Sequence, residues 1–372
     1  MENFEQGKTI RHTIKSAMLQ VCYYSGSYQI IAFQYAGAGT IFIMHKVVDS
    51  KTESLATQLT ITARFLDRII TRLRRRADFI TMDEVGDRLV RDNPTARQRR
   101  FIALTFDDGF RDNLTLSLPI LRRHGVPATI YVPSGAPDRN LDPWPWRLDR
   151  ALRENSELLL DRPGLPRRLP LGTWEEKRAA FYGLTRYVHR NIPANREVAE
   201  TLLTTARVSD ESLIAEQFAS WDELRELASD PLITIGGHGV SHASLRHLEE
   251  QDAIAEISNG KARLTAQLGV PISHFAYPYG DVSNFGPREI ALAARAGFVT
   301  AVTNIGGNIF SQHRHHMMAL PRCGLGGAVE AISSAVLELS GAPRALGSRW
   351  RDPVIVTEQS RASDRQRVAT VS

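Results

Sequence analysis

The stretch Ile102-Ala103-Leu104-Thr105-Phe106-Asp107-Asp108-Gly109 decides how this chain folds. Its first five residues form an apolar run of strand length. The run stops at two adjacent carboxylates and a glycine, which permits a sharp turn. Leu114 to His124 then read as a helix, with Leu114, Leu118 and Leu121 on its apolar face and Gly125 and Pro127 to end it. Ala128-Thr129-Ile130-Tyr131-Val132 is the next strand. Strand, helix and strand in this order predict a parallel sheet or barrel, with working residues at the carboxyl ends of the strands.

The alternation extends in both directions. Upstream, Thr40 to Met44 read as a buried strand and Phe65 to Arg75 as an amphipathic helix. Downstream, helices over Trp221 to Ser229, Ala253 to Leu268 and Pro287 to Ala296 alternate with strands over Leu232 to Ile235, His274 to Tyr277 and Phe298 to Thr303. The pattern breaks between Pro137 and Ser220, where Trp144, Trp146 and several prolines precede a helix-rich stretch, Glu175 to Val208, with no evident strand. The expected organisation is a helical arm over 1–36, a barrel over 37–342 carrying a helical insertion at about 137–220, and a polar, mobile tail over 343–372.

Composition narrows the class. Of 372 residues, 42% are hydrophobic and 23% charged, which excludes a disordered, collagen-like or coiled-coil chain. Cys22 and Cys323 are too few for a disulfide framework or a cysteine-rich zinc module and fit a reducing compartment. The net charge of +5 is mild for this length. Its densest run, Arg72 with Arg74, Arg75 and Arg76, has no interleaved aromatics and reads as a solvated helix end rather than a nucleic-acid site. The acidic opening Met1-Glu2-Asn3-Phe4-Glu5 is unlike a signal peptide, so a cytoplasmic location is expected. Met18 to Met44 is too often interrupted by polar residues for a membrane span. A helix lying on a membrane surface around Ser16 to Phe33 stays open beside the better-fitting reading of a packed arm.

Three segments carry chemistry. Asp107 and Asp108 point in different directions on an extended backbone, so one can hold a metal while the other stays free as a base. A plain Asp-Asp-Gly capping turn is the alternative. Gly236-Gly237-His238-Gly239-Val240-Ser241-His242 also follows a strand, and its two histidines, four apart, can face one ion. The zincin helix is excluded, because Gly239 stands where that motif needs glutamate. Together the two segments offer a carboxylate and two imidazoles, a donor set for a divalent ion with an open position. Phe275-Ala276-Tyr277-Pro278-Tyr279-Gly280 ends another strand and presents aromatic faces, or forms a simple turn.

These motifs, in this order, resemble the polysaccharide deacetylases with a NodB homology domain, carbohydrate esterase family four. The resemblance runs from about Gly37 to Gly324 outside the insertion, with Ile43-Met44-His45 like an early strand and Leu320-Pro321-Arg322 like a late one. It implies an α/β fold, a distorted (β/α) barrel of seven or eight strands. It also implies Asp108, His238 and His242 as ligands of a divalent ion, zinc before cobalt or another. Asp107 is then the catalytic base, with Tyr277, Pro278 and Tyr279 along the substrate and an oxyanion near the Tyr279 N–H. The implied substrate is an N-acetylated glycan such as a chito-oligosaccharide.

The chain also departs from the family pattern. Ala276 stands where many members have an arginine that positions the base, and Thr303 to Asn308 lack the usual Asp/Trp motif. For the general acid only His313, His315 and His316 are near the expected place, and they precede Leu320 instead of following it. His45 could line the site or make a structural bond; Trp144 and Trp146 could stack on sugars or anchor the insertion. Removal of another small acyl group, such as formyl, from a lipid-linked sugar is the second hydrolytic reading, and a non-catalytic glycan-binding barrel is the third.

Overall fold

A computed structural model of the chain describes residues 15–50, 54–91, 99–160, 165–190, 210–326, 330–347 and 352–355. Two helices open it, α1 (residues 15–24) and α2 (Tyr28–Tyr35). They lead into β1 (Gly39–Met44), followed by β2 (Lys46–Val48) and β3 (Thr60–Thr62), which pair with each other. Helix α3 (Ala63–Leu73) follows, capped where the Thr62 side chain accepts the Phe65 N–H. Then come β4 (Asp78–Phe79), α4 (Met82–Val90), β5 (Phe101–Phe106), a π-helical turn at Asn113–Ser117, α5 (Leu118–His124) and β6 (Ala128–Val132). The insertion contributes α6 (Trp144–Glu154), β7 (Glu157–Leu159), β8 (Arg168–Pro170) and α7 (Trp174–Arg190). After helices Asp210–Gln217 and Trp221–Ser229, β9 (Ile233–Gly237), β10 (His274–Ala276), β11 (Thr300–Val302) and β12 (Cys323–Gly324) complete the strands.

The main sheet runs β11-β10-β9-β6-β5-β1-β12, all parallel, with β4 alongside β5. Its two ends approach one another through a single segment. Leu320 bridges Val302 on one side, while Cys323 and Gly324 pair with Phe42 and Ile43 on the other. The sheet therefore curls into a distorted (β/α) barrel. Burial on both faces explains the continuous apolar runs of β1, β5 and β6. Along β5 the even residues Ile102, Leu104 and Phe106 pack outward with α3 and α5, and the odd residues Phe101 and Ala103 fill the barrel. Thr105 and Asp107 continue the inward row, which sets the direction of the first carboxylate.

Two expectations change, and parts of others lie outside the described residues. The insertion is not purely helical: β7 and β8 form an antiparallel hairpin. The part of helix Glu175 to Val208 beyond Arg190 lies outside the described residues, as do residues 1–14 of the arm and 356–372 of the tail. The polar tail does not begin at 343, because helix Ala342–Gly347 buries Ala342 and Ala345 against Ile31 and Tyr35 of α2. Those two alanines are small enough to sit beneath the arm, so the chain stays packed there despite its polar neighbours.

Candidate active site

The two carboxylates diverge where β5 ends, Asp107 continuing the inward row and Asp108 entering a left-handed turn. Asp108 and Gly109 have φ of 74° and 67°, a left-handed pair that turns the chain sharply after β5. Aspartate tolerates this conformation better than most residues, and a Cβ on Gly109 would press on Val132. Asp107 points down into the barrel and Asp108 up towards a cavity of about 1070 Å³ at the carboxyl ends of the strands.

Across that cavity, the loop after β9 delivers both histidines. The Asp108 carboxylate lies 3.5 Å from His238 Nε2 and 3.4 Å from His242 Nε2, all three through one oxygen. Two ligands each about 2.05 Å from a tetrahedral ion would be roughly 3.3 Å apart, so these separations fit a zinc-type ion. His238 Nδ1–H donates to the Ala276 carbonyl at 2.7 Å, which turns Nε2 towards Asp108. Ala276 thus has a role through its backbone.

Electrostatics favour ligation. Burial would raise the Asp108 pKa, but the His238 hydrogen bond and the charges of His242 and His45 outweigh it and hold the carboxyl well below its usual range. Burial instead dominates at His242, pushing the imidazole down to about 4, so it is neutral at pH 7. At His238 burial works downward as well, yet the Asp108 hydrogen bond and the Asp107 charge carry the net shift upward. A cation in place of that proton would satisfy the same acceptors.

The histidine loop is braced from three sides. The Glu256 carboxylate accepts the Val240 and Ser241 N–H groups at 2.9 and 3.0 Å and the Ser241 hydroxyl at 2.7 Å. Gly135 N–H donates to the Val240 carbonyl, and His238 N–H to Val132 at the end of β6. Gly260 lets helix Glu250–Leu268 come close, for a Cβ there would stand 2.7 Å from the Gly239 carbonyl oxygen. His242 itself sits at φ 58°. Among the described residues the non-glycine positive-φ positions are Asp108, Arg139, His242 and Tyr279, all lining this cavity.

Asp107 meets a partner that motif reading did not supply. Arg322, just before β12, donates from Nη1 and Nη2 to its two carboxylate oxygens, each at 2.7 Å. Both side chains are buried, and the guanidinium also donates to the Thr303 carbonyl and the Thr105 hydroxyl. Burial pushes the Asp107 carboxyl up, but the Arg322 charge and hydrogen bonds win and keep it below its ordinary value. The arginine absent at Ala276 therefore comes from the segment that leads into β12. Leu320-Pro321-Arg322 marks that segment in the sequence, but nothing local to it points to Asp107.

The other candidates divide. Tyr279 lines the cavity with its ring 4.7 Å from that of His242. Tyr277 does not: it is buried against Phe285 and donates its hydroxyl to the Met318 carbonyl at 2.9 Å. Pro278 accepts the Gly280 N–H and shapes the turn without lining the cavity. The expectation of three substrate-facing residues here narrows to one, because the strand alternation sends Tyr277 into the core. Trp144 and Trp146 both line the cavity, and Trp146 also anchors the insertion through an edge-on contact with Phe110.

The His313 cluster is at the wrong end. Ile309 pairs with Gly39 at the start of β1, and four residues on, His313 is buried, accepting the Phe310 N–H and donating to the Ile355 carbonyl. Neither it nor His315 or His316 lines the cavity. His45 does, immediately after β1, close enough for its charge to act on Asp107, Asp108 and His242.

A parallel barrel with an Asp/His/His donor set and a buried acid beside it is the arrangement of a hydrolase, and the donor set could hold a divalent ion. The polysaccharide deacetylase family profile matches residues 95–159 and 166–300, just over half of the chain. The chain belongs to the polysaccharide deacetylase family and is a deacetylase of that hydrolase class. Among solved structures, it is similar to the deacetylase PplD of Streptococcus pyogenes in complex with acetate, with 16% identity, a TM-score of 0.54 and coverage of 81% of this chain and 97% of that one. IcaB from Ammonifex degensii gives 16% identity and a TM-score of 0.51 over 81% and 98% of the two chains. BC0361, a polysaccharide deacetylase from Bacillus cereus, gives 14% and 0.51 over 81% and 68%. At these identities the likeness is one of fold. No curated protein matches the chain.

Proposed function

We propose that this deacetylase hydrolyses the N-acetyl group of an amino sugar within a glycan, using a divalent ion of the zinc type. The observation that carries the reading is the convergence of Asp108, His238 and His242 beside Asp107, an acid held by Arg322. A bound ion would supply Lewis acidity, polarising the amide carbonyl and easing deprotonation of water.

The chain's own groups supply the rest. Asp107 is kept ionised at neutral pH, and each of its oxygens retains a second lone pair beyond the Arg322 bonds. It accepts the proton of the attacking water. The developing oxyanion lies towards the Tyr279 backbone, where the left-handed turn re-aims the peptide. We assign His45 as the proton donor to the departing amine, since it follows β1 directly and lines the cavity wall together with Asp107 and Asp108. The cavity, about 1070 Å³, lies at the upper end of the ~300–1,000 Å³ usual for ligand pockets, and Trp144 and Tyr279 in its wall suit sugar rings, which supports a glycan such as a chito-oligosaccharide.

Acetate release from a panel of N-acetylated glycans, measured with zinc or cobalt added, tests this reading. Release from at least one glycan supports it. Release of formate, but not acetate, from acylated lipid-linked sugars would favour the other small-acyl reading instead. The non-catalytic reading loses its main support, because Arg322 provides the positioning charge that Ala276 lacks.

A further inference from the structure

The N-terminal arm presents two unlike faces. Its inner face packs Ile31 and Tyr35 onto Leu337, Ala342 and Ala345. Its outer face leaves Met18, Val21, Tyr24, Ile30 and Phe33 between 48% and 95% exposed. Scattered exposed apolar residues need no explanation, but five on one two-helix element form a patch that soluble surfaces seldom keep.

A basic stripe lies beside it. Arg64, Arg68, Arg72 and Arg75 recur at helical spacing along α3 and the turn after it, all exposed. Among the described residues none of the four is in an ion pair with a carboxylate. Asp67, the acid in their midst, is engaged by Arg123 at 3.0 Å and His124 at 2.9 Å. The stripe and the arm are contiguous: Tyr23 of α1 shares a surface pocket with Arg68, Arg72 and Arg75, and Arg76 donates to the Tyr28 hydroxyl at 3.0 Å. From Gln6 to Val48 the sequence contains no acidic residue.

We propose that the outer face of α1 and α2, with the arginine stripe of α3, is a peripheral docking surface for anionic lipid membranes. Apolar side chains enter the acyl boundary while guanidinium groups pair with headgroup phosphates in two-point fashion. No helix among the described residues is long and apolar enough to cross a membrane, so the contact is interfacial. A second copy of the chain fits less well. A two-fold interface sets a patch against itself and would bring the arginine stripes of both copies together. The arm runs into the start of β1, where Ala38 N–H bonds Ile309, at the barrel end opposite the cavity. Docking through it leaves the active site open to solvent and to a polymeric substrate.

Co-sedimentation of the full chain with vesicles of phosphatidylcholine alone, or of three parts phosphatidylcholine to one of phosphatidylglycerol, tests this. Binding to the anionic vesicles only, weakened by salt, is expected. Arg68→Gln, Arg72→Gln and Arg75→Gln together should weaken it about a hundredfold, at roughly fivefold per arginine. Ile30→Ser with Phe33→Ser should weaken it at least about tenfold. Both variants change exposed positions and should leave deacetylation of soluble substrate unchanged. Absence of vesicle binding overturns the proposal, as does binding that neither variant alters. A dimer in sedimentation velocity that Phe33→Ser dissolves, without vesicle binding, would assign the face to a second copy instead.

Discussion

Replacing Arg322 with methionine should unsettle the barrel and the chemistry together. The side chains of Arg322 and Asp107 are 1% and 4% exposed and joined by two hydrogen bonds of 2.7 Å. Methionine roughly keeps the volume of the stem but leaves Asp107 buried beside no cation. Removing one partner of such a pair costs about 3–5 kcal/mol. In the wild type, Asp107 titrates below its unfolded value, so the unfolded chain binds more protons in acid. The pair's stabilisation is therefore present above the unfolded carboxylate pKa and lost as pH falls through the folded one. In the variant, burial alone raises the folded value, so the stability difference from wild type should widen as pH climbs from about 4 to 7. Urea unfolding of metal-free protein across that range measures it. Adding Asp107→Asn to Arg322→Met removes the orphaned charge and should recover about 2 kcal/mol or more relative to additivity. The reasoning fails if Arg322→Met lies within about 1 kcal/mol of wild type at pH 7, or if the double variant equals the sum of the singles.

Other expectations concern the same end of the barrel. Gly260→Ala drives a methyl towards the Gly239 carbonyl and should weaken zinc affinity about tenfold or more while the helix content in circular dichroism stays unchanged. His45→Gln should lower kcat for acetate release by about 10²–10⁴ with zinc stoichiometry intact; unchanged kcat would remove His45 as the donor. Tyr277→Phe should cost about 1 kcal/mol of stability and leave kcat/KM alone, because its hydroxyl serves Met318 in the core. Tyr279→Ala should do the reverse, lowering kcat/KM about tenfold with little change in unfolding midpoint.

Much of this architecture could be read before any coordinates, for identifiable reasons. The strands at Ala128–Val132 and Gly39–Met44 are buried on both faces, so they appear as unbroken apolar runs between turn signals. Helix Trp221–Ser229 is bounded by a Ser220–Glu223 capping box, a local signature with a local cause. The convergence of Asp108, His238 and His242 is legible in the sequence because all three side chains sit in two short motifs. Arg322 was not, since its pairing with Asp107 spans 215 residues and depends on barrel closure. Tyr277 was misread as site-lining because a Tyr-Pro-Tyr turn does not reveal which tyrosine follows the inward row. The β7–β8 hairpin went unseen because Glu157–Leu159 and Arg168–Pro170 are three-residue strands with charged or proline ends. His313 lay near the expected place for an acid in sequence, but topology carries it to the opposite end of β1.

Acetate release from an N-acetylated glycan, followed before and after removal of divalent ions with a chelator and again after one equivalent of zinc is restored, bears most directly on the central claim. Activity should vanish with the ion, return with zinc in the wild type, and fail to return in His238→Ala, which should also no longer bind zinc. Undiminished acetate release from protein shown by elemental analysis to hold no divalent ion would contradict the account.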